Sequence, residues 1–288
     1  MTNRPAGDVA RPTDRPEYET NGSGQVRTFL RTADGVPVEC VYDPGPGAVY
    51  EGFADPWQAV APGSRDLAFV IAHGFTGDVD RPHVRRVADV LRGHGAVLTF
   101  SFRGHGRSGG RSTVGDKEVL DLAAAVEHAR RLGHARVVTV GFSMGGSVVL
   151  RHAALRPGTV DAVVSVSAPA RWYYRGTAPM RRLHWLVTRP EGRLVGRYGL
   201  RTRIHHRDWD PVPLSPVRAV PRIAPTPLLI VHGDRDAYFP LDHPRMLAEA
   251  AGGHGGELWI EAGMGHAEHA ADEALVARIA DWAVSAAG

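Results

Sequence analysis

The residues best equipped for chemistry lie in the run Gly141-Phe142-Ser143-Met144-Gly145, a Gly-x-Ser-x-Gly pattern placed between a β-branched stretch, 137–140, and an apolar helical segment from 144. A strand that turns into a helix over so few residues presses backbone segments together, and glycine is needed where a Cβ would collide. The turn leaves the Ser143 hydroxyl exposed at its tip, and the helix starting beneath it aims N–H groups at any negative charge that develops there. Such an arrangement suits nucleophilic attack on a carbonyl carbon. The competing reading is a glycine-rich turn with an incidental serine, which requires neither the strand before it nor the helix after it. A second glycine pattern, Gly104-His105-Gly106-Arg107-Ser108-Gly109, matches the dinucleotide-binding fingerprint. Its surroundings do not: the helix does not follow at once, and the next strand ends in the serine turn instead of a ribose-binding acid. Gly-Lys-Ser/Thr, the phosphate-loop signature, is absent from the chain.

With their flanking motifs these residues resemble the α/β-hydrolase family, specifically its serine-nucleophile branch of serine aminopeptidase-like, lysophospholipase-like and esterase or lipase members. The resemblance runs from Val26 to the end of the chain. It is carried by Val70-Ile71-Ala72-His73-Gly74-Phe75-Thr76-Gly77, by Phe102-Arg103-Gly104-His105-Gly106-Arg107-Ser108, by the serine turn, by Gly233-Asp234-Arg235-Asp236 and by Gly263-Met264-Gly265-His266. A serine needs a base to take its proton and an acid to orient that base. The family's order of serine, acid, histidine implies Ser143, Asp236 and His266, with the amides of Phe75 and Met144 as the oxyanion hole. Asp234 is the competitor of Asp236 and suits a turn-capping role. His269 competes with His266 and is expected in the first turn of the last helix, facing solvent or the cap. His73 is expected to be structural. Two histidines without a third ligand at matching spacing are weak evidence of a metal, so no metal and no cofactor are expected.

These side chains require a scaffold, and the sequence supplies its rhythm. Strand-like runs at 26–32, 37–42, 67–72, 96–102, 136–140, 160–167, 227–232 and 256–261 alternate with helical segments at 81–94, 115–132, 144–155, 241–251 and 267–286. Such alternation predicts an α/β fold, with a mostly parallel eight-stranded sheet and helices on both faces. The first two strands form a hairpin at Asp34-Gly35. Gly93, Gly133 and Gly252 are expected to end helices in the left-handed conformation. Residues 1–25 read as a disordered tail and 43–65 as a surface loop. Residues 26–169 and 227–288 form the core, and 170–226 interrupt the rhythm as an inserted cap between the sixth and seventh strands.

That cap is chemically distinct. It holds 12 arginines against Glu191, Asp208 and Asp210, a charge of +9 in a chain whose net charge is +3. It is also rich in aromatic residues, and Trp172, Tyr173 and Trp185 are its candidate substrate contacts. The expected substrate is a carboxylic ester. A thioesterase or acyltransferase acting on an anionic acyl carrier is the alternative, and a non-catalytic ligand-binding protein on the same fold is a second. Only one of the 34 basic residues is lysine, a skew that genome composition also explains, and the small net charge argues against a nucleic-acid partner. No apolar run reaches the roughly 18 residues of a membrane span, so no membrane anchor is expected. The single cysteine, Cys40, excludes an intramolecular disulfide and suits the cytoplasm.

Overall fold

The computed structural model describes residues 19–20, 24–45, 66–252 and 256–288. Its elements are β1 (Glu19–Thr20), β2 (Val26–Arg31), β3 (Pro37–Asp43), β4 (Leu67–Ala72), α1 (Pro82–Leu91), β5 (Ala96–Phe100), α2 (Glu118–Arg131), β6 (Arg136–Phe142), α3 (Met144–Leu155), β7 (Ala162–Val166), α4 (Ala178–Thr188), α5 (Pro190–Gly199), α6 (Pro216–Ala219), β8 (Leu228–Gly233), α7 (Asp242–Ala251), β9 (Gly256–Glu261), α8 (Ala267–Ala270) and α9 (Glu273–Ala286). One sheet contains all the strands, in the order β1-β2-β3-β5-β4-β6-β7-β8-β9. From β5 to β9 the neighbours are parallel, while β1, β2 and β3 add an antiparallel edge. All eight expected strands are present. The additional β1 pairs with β2 inside the region expected to be disordered; the rest of that region up to residue 23, and most of the expected 43–65 loop, lie outside the described residues.

The central strands carry apolar side chains on both faces because both faces are covered. Along β4, Ala68, Val70 and Ala72 point into the layer holding α2, α3 and α7, while Leu67, Phe69 and Ile71 point into the layer holding α1 and α9. Period-2 alternation survives, but hydrophobic partners exist on either side. Cys40 is buried in β3, and burial pushes its thiol up to about 12, which leaves it unreactive.

Three details depart from the sequence reading. The last helix is two helices, because Ala271 is extended and Asp272 then caps α9 by accepting the Leu275 amide at 2.8 Å. Gly133 and Gly252 do have positive φ, whereas Gly93 does not; its amide simply bonds the Val90 carbonyl. The C-terminal part of the expected cap belongs to the core layer, where Ala219, Val220 and Ile223 are buried and α6 packs against α3 and α7.

Candidate active site

Ser143 is the single residue between β6 and α3, with φ 52° and ψ −112°. A positive φ in a non-glycine residue is strained, at a cost of about 1–3 kcal/mol, and persists only where the surroundings enforce it. They do so here by close approach. A Cβ on Gly145 would lie 2.0 Å from the Ala72 carbonyl oxygen, and one on Gly141 would lie 2.3 Å from the Gly145 carbonyl oxygen. The Ser143 amide is held by the Val166 carbonyl at 2.8 Å. Adjacent strands and helix therefore leave the serine one conformation, with its side chain above the end of the sheet.

The loops after β8 and β9 deliver the other two groups. Gly233 packs so closely under the second loop that a Cβ would meet the Met264 carbonyl oxygen at 2.1 Å. This contact brings His266 over the strand ends. His266 Nδ1 lies 2.7 Å from Asp236 Oδ2, and Nε2 lies 2.9 Å from Ser143 Oγ. An ionised carboxylate only accepts, so Nδ1 carries the proton and the Nε2 lone pair faces the serine hydroxyl. The Asp236 side chain is fully buried. Burial alone would raise its pKa, but the hydrogen bond and charge of His266 outweigh this with help from the Phe239 amide and hold the carboxyl below its ordinary value. Its Oδ1 accepts the Tyr238 and Phe239 amides at 2.8 and 3.0 Å. Asp234, by contrast, accepts the Gly263 amide at 2.7 Å and ties one loop to the other.

Two neighbours had no signal in the sequence beyond their nearness to Asp236. Tyr238 stacks on the His266 ring at 4.2 Å between centroids. Buried His232 donates from Nε2 to the Phe239 carbonyl at 2.8 Å and fixes the turn that carries Asp236.

Phe75 and Met144, whose amides the resemblance implies as an oxyanion hole, line the same cavity as Ser143. Among the described residues neither amide has an acceptor, and Met144 opens α3. The Phe75 loop is clamped from below. His73 donates from Nδ1 to the Gly74 carbonyl at 2.7 Å and accepts the Phe102 amide on Nε2 at 3.0 Å. Burial, reinforced by nearby His105, lowers its pKa to about 3, so the ring is a neutral strut. Glu268 accepts the Gly74 amide at 2.9 Å, a contact 194 residues apart in sequence. Arg103, from the Phe102–Ser108 motif, ties the neighbouring loop to Asp34 at 2.7 Å and to Asp121 at 2.7 Å. His105 and His134 lie in loops and are buried.

Above Ser143 opens a cavity of about 650 Å³. Trp172 and Tyr173 line it, together with Trp209 and Phe239. Trp172 and Trp209 lie 5.1 Å apart, and their indole N–H groups bond the Pro213 and Thr113 carbonyls. Trp185 does not line the cavity and is 47% exposed, which corrects its expected role. The cause is helical phase: Met180, Leu183, His184 and Val187 form the inner face of α4, and position 185 falls about 150° away at 100° per residue. Arg175, Arg189 and Arg207 line the cavity, and among the described residues Asp208 is its one carboxylate. Arg171 at the same wall pairs with Asp242 at 2.9 Å.

Comparison with known proteins agrees with this architecture. The family model for the alpha/beta hydrolase fold matches residues 68–190. A monoacylglycerol lipase of Mycolicibacterium smegmatis is 28% identical over 233 residues, covering 68% of this chain and 80% of that protein. Among solved structures, an esterase of Pyrococcus furiosus aligns with a TM-score of 0.68 and 24% identity, over 99% of this chain and 97% of the other. Est1E from Butyrivibrio proteoclasticus, solved with ferulic acid bound, aligns with a TM-score of 0.56 and 19% identity, over 89% and 96%. The strand order, the serine turn after the central strand and these likenesses coincide on one conclusion: the chain has the α/β-hydrolase fold.

Proposed function

We propose that this protein is a serine hydrolase that cleaves carboxylic esters through an acyl-enzyme. The observation that carries the reading is the continuous chain from Ser143 Oγ through His266 to Asp236, at 2.9 and 2.7 Å. In the proposed cycle Ser143 Oγ attacks the ester carbonyl while His266 Nε2 takes the hydroxyl proton, and buried Asp236 stabilises the imidazolium that forms. The carbonyl oxygen becomes an anion facing the amides of Phe75 and Met144. Removing one such donor typically costs about 10²–10³ in rate. His266 then protonates the leaving alcohol, and a water activated by the same nitrogen releases the acid. Acyl transfer needs no electron carrier or metal, in keeping with the absence of a cofactor from the expected chemistry.

The segment over the cavity is proposed to set specificity. Its aromatic lining suits an apolar acyl chain, in line with relatives named as a lipase and esterases. Arg175, Arg189 and Arg207 favour a second reading, in which the group beyond the scissile bond is anionic, as in a coenzyme A or phosphopantetheine thioester. The test is hydrolysis of p-nitrophenyl esters from acetate to palmitate, with matched acyl-CoA thioesters, by wild type and Ser143→Ala. Serine-dependent turnover with an optimum at one chain length supports the ester reading, and higher kcat/KM on thioesters selects the second. Equal rates for wild type and Ser143→Ala on every substrate would sink both.

A further inference from the structure

Outside the catalytic constellation, the fold assembles three metal-ligating side chains that the sequence keeps far apart. His83 lies in the first turn of α1, and Glu268 and His269 lie in α8. One ligand atom from each lies within 4.8 Å of the others. His83 Nε2 is 3.9 Å from Glu268 Oε1, and the two imidazoles face each other at 3.7 Å between centroids. Glu268 is 3% exposed, and the Nε2 of His83 is a buried atom with no hydrogen-bond partner. Several buried side-chain nitrogens among the described residues lack a partner; this one in addition has a buried carboxylate oxygen at 3.9 Å and a second imidazole against its ring.

We propose that His83, Glu268 and His269 form a binding site for a divalent zinc-class ion. Two imidazoles and one carboxylate are a ligand set that Zn²⁺ takes, with a solvent molecule completing the tetrahedron on the open side. Bonds of about 2.0–2.1 Å put tetrahedral ligand atoms about 3.3 Å apart, so the three must draw in by roughly an ångström from their present spacing. His269 is exposed and can swing to do so. The positive surroundings select among metals. Arg86 is spent on the Glu268 and Ala271 carbonyls at 2.8 and 2.9 Å, and Arg81 stands nearby. A hard ion held by charge alone is disfavoured beside them, whereas strong bonds to imidazole nitrogen suit Zn²⁺, Co²⁺ or Ni²⁺ over Mg²⁺ and Ca²⁺. The ion would cross-link α1 to α8 and brace the Glu268 carboxylate against the Gly74 amide, one residue from Phe75.

The site is independent of the hydrolase reading and is tested without turnover. Chelator-treated protein is titrated with ZnCl₂ by calorimetry and with CoCl₂ by visible absorption, alongside His83→Ala, His269→Ala and a His205→Ala/His206→Ala control. The control is needed because His205 and His206 stack at 5.0 Å on the surface and offer a rival site. One Zn²⁺ per chain, a Co²⁺ d–d band, and affinity falling about tenfold or more in His83→Ala and His269→Ala but not in the control would support the proposal. Binding lost only in the His205/His206 control, or no heat and no d–d band for wild type at 100-fold excess metal, would overturn it. Far-ultraviolet spectra and melting curves of each metal-free variant separate lost ligation from lost folding.

Discussion

At the level of single residues, the two aspartates after β8 show how position decides role. Asp236 and Asp234 are two residues apart on one turn, yet one is fully buried against His266 and the other bonds the exposed Gly263 amide. Asp236→Asn would present an amide that can donate to Nδ1, favouring the tautomer with its proton on Nε2 and removing the lone pair that faces Ser143. On the proposed mechanism, kcat on the best p-nitrophenyl ester falls by about 10⁴. Asp234→Asn keeps an oxygen for Gly263 and stays within about twofold of wild type in steady-state assays, as surface substitutions do. Asp236 was pointed to by the resemblance, through Gly233-Asp234-Arg235-Asp236. Tyr238 and His232 were not legible, because their value lies in a ring stacked on His266 and a bond across a turn, and neither has a motif.

At the level of elements, α4 tests which aromatic groups touch substrate. Trp209 sits against Trp172 and Tyr173 at the cavity wall, whereas Trp185 is on the outer face. Trp209→Ala should lower kcat/KM for the preferred acyl chain by about 10-fold or more, given that burying a large side chain's apolar surface is worth about 1.5–3 kcal/mol. Trp185→Ala should leave it unchanged. If both variants lose activity alike across the ester series, the cavity is not where the acyl chain lies. The strands and the core helices were readable because β-branched runs and glycine stops are local signals. The Asp272 cap that divides α8 from α9 was also present locally, but the apolar pattern on either side of it masked the break. The packing of 216–226 was not readable, because its burial depends on α3 and α7. Nor was the meeting of His83 with Glu268, which requires the whole sheet to bring α1 beside the final loop.

For the molecule as a whole, the buried imidazoles set the response to acid. His73, His105, His152 and His243 are at most 1% exposed, and burial, the largest cause in each, lowers their pKa to about 3 for His73 and about 4 for the others. In the unfolded chain the same groups titrate near 6.5. Between those values the unfolded state binds more protons, so stability is complete above about pH 6.5 and declines as the pH falls towards 4. Asp121 works in the opposite sense, since burial raises its carboxyl to about 7 and its folded state takes up a proton first, but it is one group against four. Asp34, held near 2 by Arg103, contributes stability that is lost only below about pH 4. Calorimetric melting should therefore show Tm nearly constant from pH 7.5 to about 6.5 and falling from there to pH 4.5, with net proton uptake on unfolding in that lower range. His152→Gln removes one of the four without touching the site, and should reduce the slope by up to about 1.4 kcal/mol per pH unit. A Tm that is flat or rises towards acid would mean that these rings are hydrated or paired in solution, and that the packing around them is looser than their burial implies.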